Sequence, residues 1–128
     1  MRSCAVLLVV TLLTAVHAYE AAKPLSPTEA AKKISEKCTV EMEVKAVGIS
    51  KSGKVAFLNS EVDFRSPKNF TVMLGQTALE KLKKDKLDDL AALYKGNTVR
   101  VTGIVKLYRD KPEIIVNDPE EITIVEKK

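Results

Sequence analysis

The segment from Lys95 to Val125 constrains the fold more than any other part of the chain. Apolar and polar residues alternate on both sides of a short charged break, Arg109-Asp110-Lys111, with Pro112 at its exit. Alternation indicates half-buried strands, and a short polar break between two of them predicts a hairpin. Gly103 lies inside the first arm, where a glycine marks a bulge or a sharp bend. The segment therefore predicts two paired strands, the first of which bends at Gly103.

The phase of this alternation also predicts which side chains of the hairpin face inward. We expect one face of the first arm to line the interior of the fold, with Val99, Val101, Val105 and Leu107 on it. Asp118-Pro119 is expected to interrupt the second arm, because proline cannot donate a hydrogen bond within a sheet.

The start of the chain has the pattern of a secretory signal peptide. Arg2 supplies a positive charge, residues 5–16 are apolar, and Val16-His17-Ala18 forms a small-residue cleavage site. The apolar run is too short to span a membrane. We therefore expect a signal peptide at 1–18, a linker at 19–25 and one domain at 26–128. The signal peptide would direct the protein to the periplasm or the medium. Cleavage near Ala18 would then leave a mature chain without a membrane anchor.

Composition argues against an enzyme. His17 is the single histidine of the 128 residues, and it lies in the predicted signal peptide. The mature chain would therefore have no imidazole base and no histidine ligand for zinc. Cys38 would be its only cysteine, and we interpret it as a small buried residue at the start of a strand. We predict a non-enzymatic protein with no cofactor and no metal.

The first half of the domain combines one short helix with three strands. Ser26-Pro27-Thr28-Glu29 is a capping box, and it predicts a helix that runs to about Glu36. Alternation then predicts a strand over 39–50, bent near Gly48, and two shorter strands over 55–58 and 70–74.

One long helical stretch separates these strands from the hairpin. It covers 76–94, and Thr77 with Glu80 has the spacing of a second capping box. The apolar period breaks near Lys84-Asp85-Lys86, which predicts either two helices or one kinked helix.

Taken together, the order is helix, three strands, helix, two strands. Five strands with a helix between the third and fourth are typical of the OB-fold, a five-stranded Greek-key barrel. We therefore predict a mainly β OB-fold barrel with an additional short N-terminal helix.

Four stretches also carry a family resemblance: PTEAAKKISEKCTVEMEV, GKVAFLNS, NFTVML and YKGNTVRVTGIVKLYRDKPEIIVNDPEEI. They resemble small exported bacterial OB-fold proteins, which are similar in turn to nucleic-acid-binding OB domains of the tRNA-anticodon type. The resemblance covers about 26–125. It implies an OB-fold, and it implies that Phe57 occupies the place of an aromatic residue that stacks on a base in the anticodon-binding relatives.

OB barrels bind their ligands on strands two and three and on the loops that join strands one to two and four to five. These elements hold cations, aromatic rings and polar side chains, the mixture that single-stranded nucleic acid requires. The candidate nucleic-acid-binding residues are Lys51, Lys54, Phe57, Asn59, Thr71, Tyr108, Arg109 and Lys111.

Two questions stay open at this point. Phe57 and Phe70 lie on strands that are apolar on both faces, so either ring could belong to the core or to the ligand face. The ligand class is also open. We predict binding of single-stranded nucleic acid with little sequence specificity, and the alternative is a periplasmic module that binds a protein, an oligosaccharide or a small ligand. The modest net charge of +4 and the acidic first strand, with Glu41 and Glu43, favour the alternative.

Overall fold

The structure is a computed structural model that describes residues 23–127. The predicted signal peptide and residues 19–22 of the predicted linker lie outside the described residues. The strands are β1 (Lys37–Glu43), β2 (Ala46–Ile49), β3 (Ala56–Asn59), β4 (Thr71–Leu74), β5 (Thr98–Ile104), β6 (Lys106–Tyr108), β7 (Lys111–Val116) and β8 (Ile122–Glu126). The helices are α1 (Pro27–Ala30), α2 (Gln76–Lys84) and α3 (Leu90–Tyr94), and a single 3₁₀ turn spans Pro119–Glu121.

The strands form two sheets. Five strands pair in the order β2-β3-β4-β7-β6, and three pair in the order β1-β5-β8. All neighbours are antiparallel except β4 and β7, which run parallel. Over residues 23–127 neither sheet closes on itself, so the prediction of an OB-fold is confirmed as an OB-fold-like arrangement, and a single closed barrel of five strands is not observed.

Two predicted long strands are each divided between the sheets. The first breaks at Val44 and Lys45, where β1 ends and β2 begins, and not at Gly48 as predicted. The other breaks at Val105, between β5 and β6. There the backbone of Val105 bonds to the segment after α1: Ser35 N–H donates to the Val105 carbonyl at 2.7 Å, and Val105 N–H donates to the Glu36 carbonyl at 3.1 Å. The chain must leave α1 early to make these bonds, which explains why the helix ends at Ala30 and not at Glu36.

Gly103 acts through close approach of two strands. A Cβ atom built on Gly103 would lie 2.7 Å from the Cγ2 methyl of buried Ile114 on β7. Only a residue without a side chain lets β5 cross β7 at this distance. The bend at Val105 follows two residues later.

The helical segments confirm one prediction and correct another. The Ser26–Glu29 capping box is present, with Glu29 N–H donating to Ser26 Oγ at 3.2 Å. The stretch 76–94 divides into two helices, α2 and α3. The predicted cap by Thr77 is wrong, because the N-cap residue of α2 is Gly75, which makes no side-chain cap bond. No helix within residues 23–127 is long and apolar enough to cross a membrane.

The core lies between the two sheets. Val99, Val101 and Val105 are fully buried in it, as predicted, and so is Phe70. The prediction for Leu107 is wrong, since its side chain is 53% exposed. The short strand β6 pairs only with the first residues of β7, and all three of its residues are exposed.

The end of the chain also differs from the predicted hairpin. β7 pairs with β6 as expected, but the residues after Asp118-Pro119 form β8. β8 pairs with β5 in the three-stranded sheet, so the proline marks a change of sheet and not an interruption of one arm.

Candidate nucleic-acid interface

The five-stranded sheet has two chemically different faces. Ala56, Leu58, Val72, Ile114 and Val116 are fully buried on its inner face. The alternate residues form what we call the outer face, and the strand registers place them in adjoining rows. One row is Gly48, Phe57, Met73 and Ile115, the next is Ala46, Asn59, Thr71, Glu113 and Lys106, and Tyr108 pairs with Lys111 beyond them.

Register resolves the position of the two phenylalanines. Phe57 lies on the outer face and is half-buried, with Gly48 opposite it on β2 and Met73 opposite it on β4. Gly48 leaves the edge of the ring open, since a Cβ there would meet Phe57 only at an ordinary contact of 3.9 Å. Phe57 therefore presents an aromatic surface on the outer face, whereas Phe70 belongs to the core.

The predicted cations lie at opposite ends of this face. Lys51 and Lys54 are exposed in the turn between β2 and β3, beside the ends of β4 and β7. Arg109 and Lys111 lie where β7 begins, beside the start of the parallel strand β4. The four residue-to-residue steps from Lys111 to Ile115 alone cover roughly 13 Å. The structure thus does not bring the four cations together, and the aromatic Phe57 lies between the two groups.

The turn between β6 and β7 is tighter than the sequence indicates. It contains only Arg109 and Asp110, both with positive φ angles of 49° and 62°, and Lys111 already belongs to β7. Positive φ at both positions is the requirement of a type I′ turn, for which glycine and asparagine are the favoured residues. An arginine here places a guanidinium at the tip, and its Cζ atom lies 5.4 Å from the centre of the Tyr108 ring.

Asn59 and Thr71 are engaged in supporting the loop between β3 and β4 (residues 60–70). Thr71 Oγ1 donates to Asn59 Oδ1 at 2.9 Å, and Asn69 Nδ2 donates to the same oxygen at 3.1 Å. Asn69 Oδ1 in turn accepts from the Glu61 N–H at 3.1 Å. Asn59 and Asn69 are buried, so these bonds are not replaced by water. Both candidate residues therefore use their polar side-chain atoms to hold the β3–β4 loop.

Lys111 also bonds to the β3–β4 loop. Its Nζ donates to the carbonyls of Phe64 and Arg65 at 3.3 Å and 3.2 Å. The predicted phosphate-binding cation is thus tied to backbone oxygens of a neighbouring loop.

Sequence reasoning missed Glu113, which lies on the outer face between Thr71 and Lys106. The residue is only 8% exposed, and its carboxylate makes no hydrogen bond or ion pair with the described residues. Burial raises the pKa of the Glu113 carboxyl, and the positive charge of Lys106 opposes part of that rise. In the sequence, a glutamate after Lys111-Pro112 looks like an ordinary solvated strand residue, and only the packing of the sheet identifies it.

Phe64 is the other residue that was missed. Phe64 is 61% exposed in the β3–β4 loop, and its carbonyl accepts a hydrogen bond from Nζ of Lys111, the residue that pairs with Tyr108 on β6. The signal in the sequence is an aromatic residue within the polar run Asp63-Phe64-Arg65.

The acidic first strand lies away from this face. Glu41 is on β1 in the three-stranded sheet, where Arg100 Nε donates to Glu41 Oε1 at 3.1 Å. An open groove of about 300 Å³ adjoins that strand, and it is lined by Pro27, Thr28, Glu41, Met42, Glu43, Lys45, Ser60, Glu61 and Lys68. The carboxylates of Glu41 and Glu43 are therefore on β1 and not on the outer face.

Two further predictions concern reactive groups. Cys38 is half-buried on β1 and packs against the core. Desolvation raises the pKa of its thiol, and nearby Glu36 adds to the rise, so the reactive thiolate is disfavoured. Among residues 23–127, no group of three or more histidine, cysteine or acidic side chains is arranged to hold a metal ion.

Comparison with known proteins identifies the fold. No family model matches the sequence, and no curated protein is similar to it. Among solved structures, the chain is similar to the aspartyl-tRNA synthetase of Entamoeba histolytica, with a TM-score of 0.59 and 16% identity over 86% of this chain. It is also similar to the asparaginyl-tRNA synthetase of Pyrococcus horikoshii, with a TM-score of 0.56 and 18% identity over 83% of this chain.

The matched region is a small part of each synthetase, 23% of the first chain and 24% of the second. A third similar structure is an OBody bound to hen egg-white lysozyme, with a TM-score of 0.55 and 20% identity, where 81% of this chain covers 94% of the OBody. At these identities the likeness shows the fold alone. It supports the OB-fold assignment that element order predicted.

Proposed function

We propose that this protein is an exported, non-enzymatic OB-fold domain that binds single-stranded nucleic acid with little sequence preference. The observation that carries the proposal is the outer face of the five-stranded sheet, where half-buried Phe57 lies between cationic turns at both ends. Stacking on an aromatic ring and attraction of phosphates by separated cations are the two contributions that such ligands need. The synthetases that share the fold act, by their names, on a nucleic acid.

The chemistry of this face supports low sequence preference. Stacking accepts any base, because every base has a π-face. Readout of base edges needs fixed hydrogen-bonding groups, but Asn59 and Thr71 bond to each other and to Asn69. Phosphate contacts by lysine and arginine carry no sequence information.

A fluorescence titration of a labelled single-stranded oligonucleotide, at low and at moderate salt, tests the proposal. We expect saturable binding at low salt that weakens steeply as salt rises, because bound phosphates release counterions. The double variant Phe57→Ala/Lys54→Ala should bind more weakly. Its matched control is Leu87→Ala/Lys84→Ala, which removes an exposed apolar side chain and a lysine from the connection between β4 and β5.

No saturable binding by the folded protein at low salt would reject the proposal. Equal affinity of the two double variants would reject the outer face as the binding surface. Degradation of the oligonucleotide in the presence of calcium or magnesium would contradict the non-enzymatic part.

Protein binding is the second candidate function. The OBody shows that a chain of similar fold binds a protein, hen egg-white lysozyme. Exposed Phe64, Leu107 and Tyr108 on this protein are the kind of side chains that enter protein interfaces. Absence of oligonucleotide binding would favour this candidate.

A further inference from the structure

Two aromatic–arginine pairs project from neighbouring segments at one end of the outer face. One is Phe64-Arg65 in the β3–β4 loop, and the other is Tyr108-Arg109 at the end of β6. The two rings are similarly exposed, 61% for Phe64 and 56% for Tyr108. Exposed aromatic rings and arginines are the side chains that single-stranded nucleic acid contacts by stacking and by cation–π interaction.

Lys111 connects the two pairs. Its backbone pairs with Tyr108 across the turn, and its Nζ donates to the carbonyls of Phe64 and Arg65 at 3.3 Å and 3.2 Å. Both hydrogen bonds join the Lys111 ammonium to the backbone of the β3–β4 loop. Lys111 therefore links the loop that carries Phe64 to the strand pair that carries Tyr108.

The β3–β4 loop is also fixed at its base. Asn69 Nδ2 donates to the Phe64 carbonyl at 3.4 Å, and the Phe70 N–H donates to Ser60 Oγ at 2.8 Å. At the tip, Arg65 donates from its backbone N–H and from its Nε to the Asp63 carboxylate, at 2.9 Å and 3.1 Å. Phe64 thus projects from a constrained loop, which reduces the entropy lost when a ligand orders the ring.

We propose that Phe64 is a second stacking residue of the interface, and that Lys111 positions its loop and does not bind phosphate. This inference rests on the proposed function. A single strand that crosses Phe57 would continue onto the two projecting rings, where Arg109 supplies the phosphate contact. Lys111 already donates two hydrogen bonds to carbonyls, so its ammonium is directed at the loop.

The first test compares Phe64→Ala with Val62→Ala, using a labelled single strand of about 16 nucleotides, the upper range for one OB-fold. Val62 is the matched control because it is an apolar residue of the same loop and is 77% exposed. We expect Phe64→Ala to weaken binding by about 5- to 150-fold, the value of one base stacked on an aromatic ring. Phe64→Leu, which keeps apolar volume and loses the flat ring, should show most of the same loss.

The second test separates positioning from phosphate binding through salt dependence. Each phosphate contact on a single strand contributes about 0.7 to the slope of log affinity against log salt. Arg109→Ala should reduce the magnitude of that slope by about this amount, whereas Lys111→Ala should lower affinity and leave the slope unchanged.

Three outcomes would overturn the inference. If Phe64→Ala and Val62→Ala bind with equal affinity while Phe57→Ala binds weakly, the stacking role of Phe64 is rejected. The proposed function then still stands. A smaller slope in Lys111→Ala would show that Lys111 contacts phosphate. No binding by the unaltered protein would reject the proposed function, and with it the inference.

Discussion

The two faces of the five-stranded sheet alternate residue by residue along the same strands and differ in what they do. On β3, Leu58 is fully buried on the inner face, while its neighbour Phe57 lies half-buried on the outer face. The inner face contributes the transfer of apolar surface out of water, which is the main stabilising contribution to folding. The outer face leaves Phe57 half-buried and Tyr108 exposed. Under the proposed function, one strand would support stability and binding separately, because period-two alternation assigns them to different residues.

The largest expected effect is the difference in stability between substitutions at these two adjacent positions. Leu58→Ala should lower the free energy of unfolding by about 2–5 kcal/mol, since it leaves a cavity in the core. Phe57→Ala should cost less than half as much stability and weaken oligonucleotide binding. Urea denaturation of both variants, together with the binding titration, measures the contrast. Equal losses of stability would show that Phe57 also belongs to the core.

The two glycines of the sheets provide the next contrast. Gly103→Ala should cost about 1–3 kcal/mol, because the new methyl would overlap the buried Ile114 side chain. Gly48→Ala on the outer face meets only an ordinary contact with Phe57, so its effect on unfolding should stay within about 0.5 kcal/mol. Thermal or urea unfolding of both variants checks the prediction, and a Gly103→Ala protein as stable as Gly48→Ala would contradict it.

The third effect concerns Asn69, whose side chain joins the β3–β4 loop to Asn59 and Thr71. Asn69→Ala removes bonds to Asn59, Thr71, the Glu61 N–H and the Phe64 carbonyl. Loss of this buried network should lower the free energy of unfolding by about 1–3 kcal/mol. It should also increase hydrogen exchange in residues 60–70 more than elsewhere, which mass spectrometry can measure. Unchanged exchange in this loop would show that the other bonds are sufficient to hold it.

The smallest effect is the pH dependence of Glu113. Its folded-state pKa is raised above its ordinary value of 4.5, so the folded protein binds this proton more tightly than the unfolded chain does. The stability that comes from the proton is fully present below the unfolded pKa and is lost as pH rises through the folded pKa. Glu113→Gln should therefore be more stable than the unaltered protein at pH 7, by less than about 1 kcal/mol, with the advantage disappearing at low pH. Urea denaturation at pH 7 and pH 4 checks this, and an equal difference at both values would contradict it.

The sequence predicts well what depends on local pattern. Alternation locates the strands through Val40, Val99 and Val101, and the Ser26 box locates the start of α1. It predicts the bounds of an element less well where they depend on contacts with residues distant in the sequence. Helix α1 ends early because Ser35 and Glu36 bond to Val105, and no local signal marks that pairing.

The candidate site shows the same limit. Apolar residues on both sides of Phe57 leave its direction undetermined until register is known. Asn59 and Lys111 have the residue types of ligand-binding groups, yet the folded chain uses their polar atoms for the β3–β4 loop. Arg109 and Asp110 adopt a turn that usually requires glycine or asparagine, so residue preference alone predicts a longer break.

The pairing of β1 with β5 has a consequence for how fast the domain can fold. It joins Lys37 to Ile104 and Glu43 to Thr98, so even its nearest pair closes a loop that spans about half of the described chain. Local hairpins such as β2–β3 and β6–β7 need only short loops to close, whereas distant pairing must first overcome the entropy of a long one. Domains dominated by such pairings fold in roughly milliseconds to seconds. Until β1 and β5 meet, the edges of both strands are open to other chains, and this interval is when a newly made protein is most prone to aggregate.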